Sequence, residues 1–135
     1  MDEMNKKILI NSALDAQELS YSPYSMFKVG AAVLLKDGVI VQGANIENAS
    51  YGLTMCGERN AVFHAYCLGY KKDDIVAIAI SSCSNPPASP CGACRQVLVE
   101  LVNGDVPVYL VNTDGVEDVI LVKELLPKGF SGDVL

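Results

Sequence analysis

Cys56-Gly57-Glu58 and, far downstream, Pro90-Cys91-Gly92-Ala93-Cys94 place the tightest constraint on how this chain can fold. Three thiols are potential metal ligands, and a carboxylate stands beside one of them. Cys56 is too remote in sequence from the second pair to share a single small metal loop with it. The fold must therefore carry two distant segments to one point. A glutamate two residues after a ligand points to chemistry as well as scaffolding.

The apolar pattern suggests how the chain does so. Ile8, Leu9, Ala13, Leu14, Ala16 and Leu19 recur at roughly helical spacing, so residues 4–19 read as an amphipathic helix ending before Ser22-Pro23. Lys28 to Lys36 is rich in apolar and β-branched residues, Asp37-Gly38 is a hairpin signal, and Val39 to Ala44 returns as a second strand. Cys56 to Tyr70 reads as a helix feeding a nearly continuous apolar strand, Ile75 to Ser82. Residues 92–102 form a further helix, Pro107 to Asn112 a strand, and Leu121 to Leu126 either a strand end or a short last helix. Strands alternating with helices favour an α/β fold whose sheet is covered on both faces. No repeat, low-complexity segment or linker divides the chain, so residues 1–135 are expected to form one domain. The clearest break, Cys83 to Pro90 with its Pro86-Pro87, delivers Cys91 to a helix start.

Composition narrows the partners. Half the 135 residues are hydrophobic, enough for an ordinary core. A formal charge of −6, with no basic run longer than Lys6-Lys7 or Lys71-Lys72, repels a phosphate backbone, so polymeric nucleic acid is not an expected partner. A neutral nucleoside would feel little of that field. Val29–Leu35 and Ile75–Ile80 are the longest apolar runs, well short of a bilayer span, and no membrane partner is expected. Met1-Asp2-Glu3-Met4 is acidic, unlike a secretory leader, which points to the cytoplasm. There, five cysteines read as thiols or ligands and not as a disulfide framework.

Cys56, Cys91 and Cys94 suit zinc, which takes soft thiolates tetrahedrally and, with three protein ligands, keeps one position for water. Both cysteine segments are expected at helix N-termini, where unpaired N–H groups and the helix dipole favour thiolates. Arg59 or Arg95 could offset the excess negative charge. Glu58 could take a proton from water and return it to a substrate nitrogen and leaving group, which suits hydrolytic loss of ammonia from an amino-heterocycle. A closed four-ligand site has poor candidates. Cys67 lies roughly 16 Å along the helix from Cys56, Cys83 would need an unusual loop, and both read as small buried hydrophobes. His64, the single histidine, reads as an ordinary core or surface residue.

Zinc deaminases carry His-x-Glu followed by Pro-Cys-x-x-Cys, with Cys allowed for the His. This chain matches the all-cysteine version. With Pro23-Tyr24-Ser25-Met26-Phe27-Lys28-Val29-Gly30-Ala31-Ala32, Gly43-Ala44-Asn45-Ile46-Glu47-Asn48, Cys56-Gly57-Glu58-Arg59 and Pro90-Cys91-Gly92-Ala93-Cys94-Arg95-Gln96, it resembles the short, homotetrameric class of the cytidine deaminase family over nearly its whole length. The resemblance implies a three-layer α/β/α sandwich with a central mixed sheet of about five strands. It implies one catalytic zinc per subunit on Cys56, Cys91 and Cys94, and Glu58 as proton shuttle for attack at C4 of cytosine. Phe27 would pack against the base, and the Asn45-Ile46-Glu47 stretch would bind substrate, with Asn45 and Glu47 bonding the ribose hydroxyl. The Gly57 N–H and Glu58 would read the pyrimidine edge, and Arg59 would neutralise thiolates. Phe130 would complete a neighbouring subunit's site, with Tyr51 at the same junction, so sites would be shared within a homotetramer. The family more often has Ala where this chain has Gly57.

The expected activity is hydrolysis of cytidine and 2'-deoxycytidine to the uridine nucleosides and ammonia, in nucleoside salvage. Two alternatives stand beside it. One is a related zinc deaminase acting on blasticidin S or another modified cytosine, which shares the zinc segments but need not share the ribose-binding stretch. The other is a non-catalytic zinc or nucleoside-binding module, with metal but no turnover.

Overall fold

Alternation along two central strands divides the core into layers. In β1 (Gly30–Leu35), Ala31, Val33 and Leu35 join one buried cluster while Ala32 and Leu34 join another. β3 (Ile75–Ser82) repeats the division, with Ile78 and Ile80 on the first face and Ala77 and Ala79 on the second. Strands buried on both sides require helices on both. α1 (Glu3–Asp15) supplies Leu9 and Ala13 to the alanine-lined face, and α2 (Gly57–Cys67), α3 (Gly92–Leu101) and α4 (Val122–Leu125) cover the other. Asp2 starts α1, its carboxylate accepting from the Asn5 N–H at 2.8 Å. This is a computed structural model, and it describes residues 1–132. The last three positions of the expected 1–135 span lie outside the described residues.

The sheet has five strands in the order β2-β1-β3-β4-β5, with β2 spanning Ile40–Ala44, β4 Pro107–Asn112 and β5 Glu117–Leu121. β3 and β4 pair in parallel and the remaining neighbours pair antiparallel. The mixed five-stranded sandwich is thus the architecture expected. β5 escaped the element-by-element reading because its first half, Glu117-Asp118-Val119, is exposed at the sheet edge and lacks a core-facing apolar run. Leu121 to Leu126 resolves into both alternatives, the end of β5 followed by α4. The first helix stops at Asp15 and continues as a tighter 3-10 turn over Ala16–Leu19.

Topology answers the question posed by the cysteines. β2 and β3 are each antiparallel to β1, so they run in the same direction and release α2 and α3 from the same end of the sheet. Two glycines bring helices down onto the strands. A Cβ on Gly30 would lie 2.2 Å from the Ala13 carbonyl oxygen of α1, and one on Gly43 would lie 2.3 Å from the Ala61 nitrogen of α2. At these positions backbone meets backbone, and no side chain fits between.

Candidate active site

Cys56 is the N-cap of α2 and Cys91 the N-cap of α3, both in extended conformation and neither offering a side-chain oxygen to its helix. Sulfur thus stands where Ser, Asp or Asn would ordinarily cap the first-turn N–H groups. The positive ends of two helices converge on the thiols. Cys94, fully buried in the first turn of α3, completes the group. The Sγ atoms of Cys56 and Cys91 are 3.8 Å apart, those of Cys91 and Cys94 3.5 Å, and all three lie within 4.8 Å of one another. Tetrahedral zinc with bonds of about 2.3 Å separates its sulfurs by about 3.8 Å. Donor type and spacing therefore fit one zinc ion.

The surrounding charges agree with that chemistry. Arg59 Nη2 donates to Cys56 Sγ at 3.4 Å. The neighbouring Cys94 thiol, and then the Arg59 guanidinium, pull the Cys56 thiol down to about 5. Cys94 moves the opposite way: the adjacent Cys56 sulfur, then burial and the Glu58 carboxylate, keep its thiol protonated. Glu58 sits behind the thiols, only 5% exposed, its Oε1 accepting from Cys94 Sγ at 2.9 Å. Burial pushes its carboxyl up to about 6. Such a group can both take and give a proton near neutrality. Among the described residues, Arg59 Nε is buried without a hydrogen-bond partner. Arg95, the other expected counter-charge, serves a different purpose. It spans the Pro90 and Leu125 carbonyls, each at 2.7 Å, and reaches Ser89 Oγ at 3.3 Å, fixing the loop that presents Cys91.

A cavity of about 250 Å³ opens in front of Cys56, Cys91 and Glu58. Phe27, Asn45, Glu47, Tyr51 and Gly57 line it, together with Ser25, Val29, Thr54, Ile80, Ala88 and Ser89. Asn45 Oδ1 accepts from Ser20 Oγ at 2.6 Å and from the Val29 N–H at 2.9 Å, while its Nδ2 donates to the Phe27 carbonyl at 2.8 Å. Glu47 Oε1 accepts from the Tyr24 and Ser25 N–H groups at 3.0 and 3.1 Å, and Oε2 accepts from Ser25 Oγ. The Ser25 hydroxyl, helped by those N–H groups, holds the Glu47 carboxyl below the ordinary carboxylate range.

Two expected residues stand apart. Ile46 does not line the cavity. It bridges Tyr21 on one side and Met55 on the other, and strand alternation puts Asn45 and Glu47 inward and Ile46 outward. Phe130 lies away from this chain's own cavity, 58% exposed, with its carbonyl accepting from Gln96 Nε2 at 3.0 Å. Cys67 and Cys83, expected to be buried, are exposed: one ends α2 and the other follows β3 into the loop. His64 is an exposed helix residue whose Nδ1 lies 3.2 Å from the Gln42 carbonyl. A Cβ on Gly57 would meet the Val29 oxygen at 3.1 Å and the Asn45 nitrogen at 3.3 Å, so an alanine there requires the strands to give slightly. Ser25, Thr54 and the Ala88-Ser89 wall carry no chemical signature in sequence. Ser25 stands within the Pro23–Ala32 stretch of the resemblance and Ala88-Ser89 within the Cys83–Pro90 break, in neither case with a role of its own.

Residues 4–110 match the family described as the cytidine and deoxycytidylate deaminase zinc-binding region. The chain is 52% identical to a cytidine deaminase of Halalkalibacterium halodurans, covering 96% of this chain and 97% of that one. It is 46% identical to a cytidine deaminase of Sporosarcina psychrophila, covering 98% and 96%. The crystal structure of cytidine deaminase from Burkholderia pseudomallei superposes with a TM-score of 0.91 at 45% identity, covering 96% of this chain and all of the other.

Proposed function

We propose that this chain, which belongs to the cytidine and deoxycytidylate deaminase family, hydrolyses cytidine and 2'-deoxycytidine to the corresponding uridine nucleosides and ammonia. The observation that carries this reading is the convergence of three thiols at zinc spacing with the buried Glu58 carboxyl, 2.9 Å from Cys94, on one cavity. Cys56, Cys91 and Cys94 hold one zinc per subunit. Zinc in this open site supplies a Lewis acid that makes water a competent nucleophile near neutral pH.

The chain's own residues do the remaining work. Glu58 accepts the proton that water loses as its oxygen bonds to C4. It passes that proton to ring N3, then carries a second one to the amino nitrogen as the C4–N bond breaks. Ammonia leaves and the C4 carbonyl remains. The Gly57 N–H and Glu58 read the pyrimidine edge, Phe27 packs on the ring, and Arg59 offsets the thiolate charge.

C4 and N1 lie on opposite sides of the pyrimidine ring, so a base with C4 at the thiolates directs its sugar away from them, toward Asn45 and Glu47. Both Asn45 Oδ1 lone pairs are engaged, but its amide keeps one free N–H. Glu47 receives three donors out of about four lone-pair sites, leaving roughly one. A free donor beside a free acceptor complements one sugar hydroxyl.

The exposed Phe130 and Tyr51 suit a homotetramer in which Phe130 enters a neighbour's site. One catalytic domain over residues 1–135, a cytoplasmic location and a role in pyrimidine nucleoside salvage complete the reading. No helix among the described residues is long and apolar enough to cross a membrane. The test is ammonia release from cytidine, 2'-deoxycytidine and blasticidin S with metal analysis of the same sample. Turnover of both nucleosides by protein with one zinc per chain is expected. Zinc without turnover, or preference for the antibiotic, rejects the proposal.

A further inference from the structure

The segment before Phe27 is held in a conformation that costs energy. Met26 adopts φ 58, the left-handed region that side chains other than glycine rarely enter, and its own side chain is 78% exposed. Its packing therefore does not account for the turn. The turn lets the Ser25 hydroxyl accept the Phe27 N–H at 3.0 Å, while the Met26 N–H donates to the Ser22 carbonyl at 3.0 Å. A strained backbone persists where surrounding contacts over-determine it, and such places cluster at functional sites.

A serine hydroxyl has one proton and two lone pairs. Because Ser25 Oγ accepts from Phe27, its proton is directed elsewhere, and it goes to Glu47 Oε2. Both partners line the substrate cavity, as does Ser25 itself. We infer that Ser25 is a positioning residue, its hydroxyl aiming the Glu47 carboxylate at the sugar and locking that aim to the backbone of the Phe27 base platform. This rests on the deaminase reading above and adds to it a residue that determines sugar selectivity without touching the reacting atoms.

The experiment is steady-state kinetics of the zinc-loaded enzyme on cytidine and on 2',3'-dideoxycytidine, which lacks the 2'- and 3'-hydroxyls that could donate to Glu47 and keeps only the 5'-hydroxyl. Wild type, Ser25→Ala, Ser25→Thr, Glu47→Gln and the Ser25→Ala/Glu47→Gln pair are compared, with zinc content and Tm recorded for each. Ser25→Ala should raise KM for cytidine about five- to tenfold, the size of one lost hydrogen bond, with kcat within about twofold. Its effect on the dideoxynucleoside should stay under about twofold, Ser25→Thr should restore cytidine binding, and the pair should be no worse than Glu47→Gln alone. An unchanged KM, an equal penalty on both nucleosides, or a fully additive pair overturns the inference while wild-type turnover stands. Absence of wild-type turnover instead rejects the deaminase reading, and the inference with it. If Ser25→Ala does not fold, Ser25→Cys, with its weaker donor, carries the same comparison.

Discussion

Two walls of one cavity are finished to different degrees. Around Glu47 and Asn45 the polar side chains are met from within the chain: Tyr24, Ser25, Ser20, Val29 and Phe27 supply six hydrogen bonds between them. Around the thiols the reverse holds. Three sulfurs crowd together, Cys56 is pushed toward thiolate while Cys94 is held protonated, Glu58 is lifted to about 6, and among the described residues Arg59 Nε has no hydrogen-bond partner. The first wall is preorganised by protein alone. The second gathers donors suited to a divalent cation, and the difference separates residues proposed to shape the substrate from residues suited to hold a metal.

The largest expected effect breaks the metal wall and spares the other. Cys94→Ser should reduce bound zinc from one per chain to near none and abolish ammonia release, and chelation of the wild-type protein should do the same; metal analysis beside the activity assay checks both. Next comes Glu58→Gln, which should keep its zinc and yet lose about 100- to 10,000-fold in kcat. If that variant turns over normally, the proton shuttle lies elsewhere. Glu47→Gln attacks the preorganised wall. Zinc content should not change, and KM for cytidine should rise about tenfold while kcat falls less. A loss confined to kcat would assign Glu47 to chemistry, erasing the contrast. The smallest effect tests the Arg59 charge. In metal-free protein the Cys56 thiol, pulled down to about 5 by Cys94 and then Arg59, should alkylate with a low pH midpoint, and Arg59→Gln should move that midpoint upward. An unmoved midpoint would leave the neighbouring thiols, Cys94 first and then Cys91, as the cause.

The two walls were also unequally legible in sequence. Cys56, Glu58, Cys91 and Cys94 could be read because their chemistry is carried by rare residue types at short spacing on helix starts. Zinc's demand for ligand number then disposed of Cys67, Cys83 and His64. Asn45 and Glu47 were visible only through resemblance, since polar residues at a strand end are common. Ser25 was invisible, because a serine in a turn is ordinary until its proton is followed to Glu47. Arg95 was misread for a related reason: adjacency to Cys94 in sequence says nothing about where a long side chain ends, and it ends on the Pro90 and Leu125 carbonyls. In the fold, β1 and β3 were plain from their apolar runs, whereas β5 was hidden by charge at an edge.

Gly43 joins the walls mechanically. β2 leads directly to Asn45 and Glu47, while α2 begins at Cys56, and at Gly43 strand and helix touch main chain to main chain, with no deformable side chain between them. The spacing between the proposed sugar wall and the Cys56–Glu58 segment is therefore set by backbone contact, so in that assignment the reach from a sugar hydroxyl to the reacting carbon is gauged by the main chain.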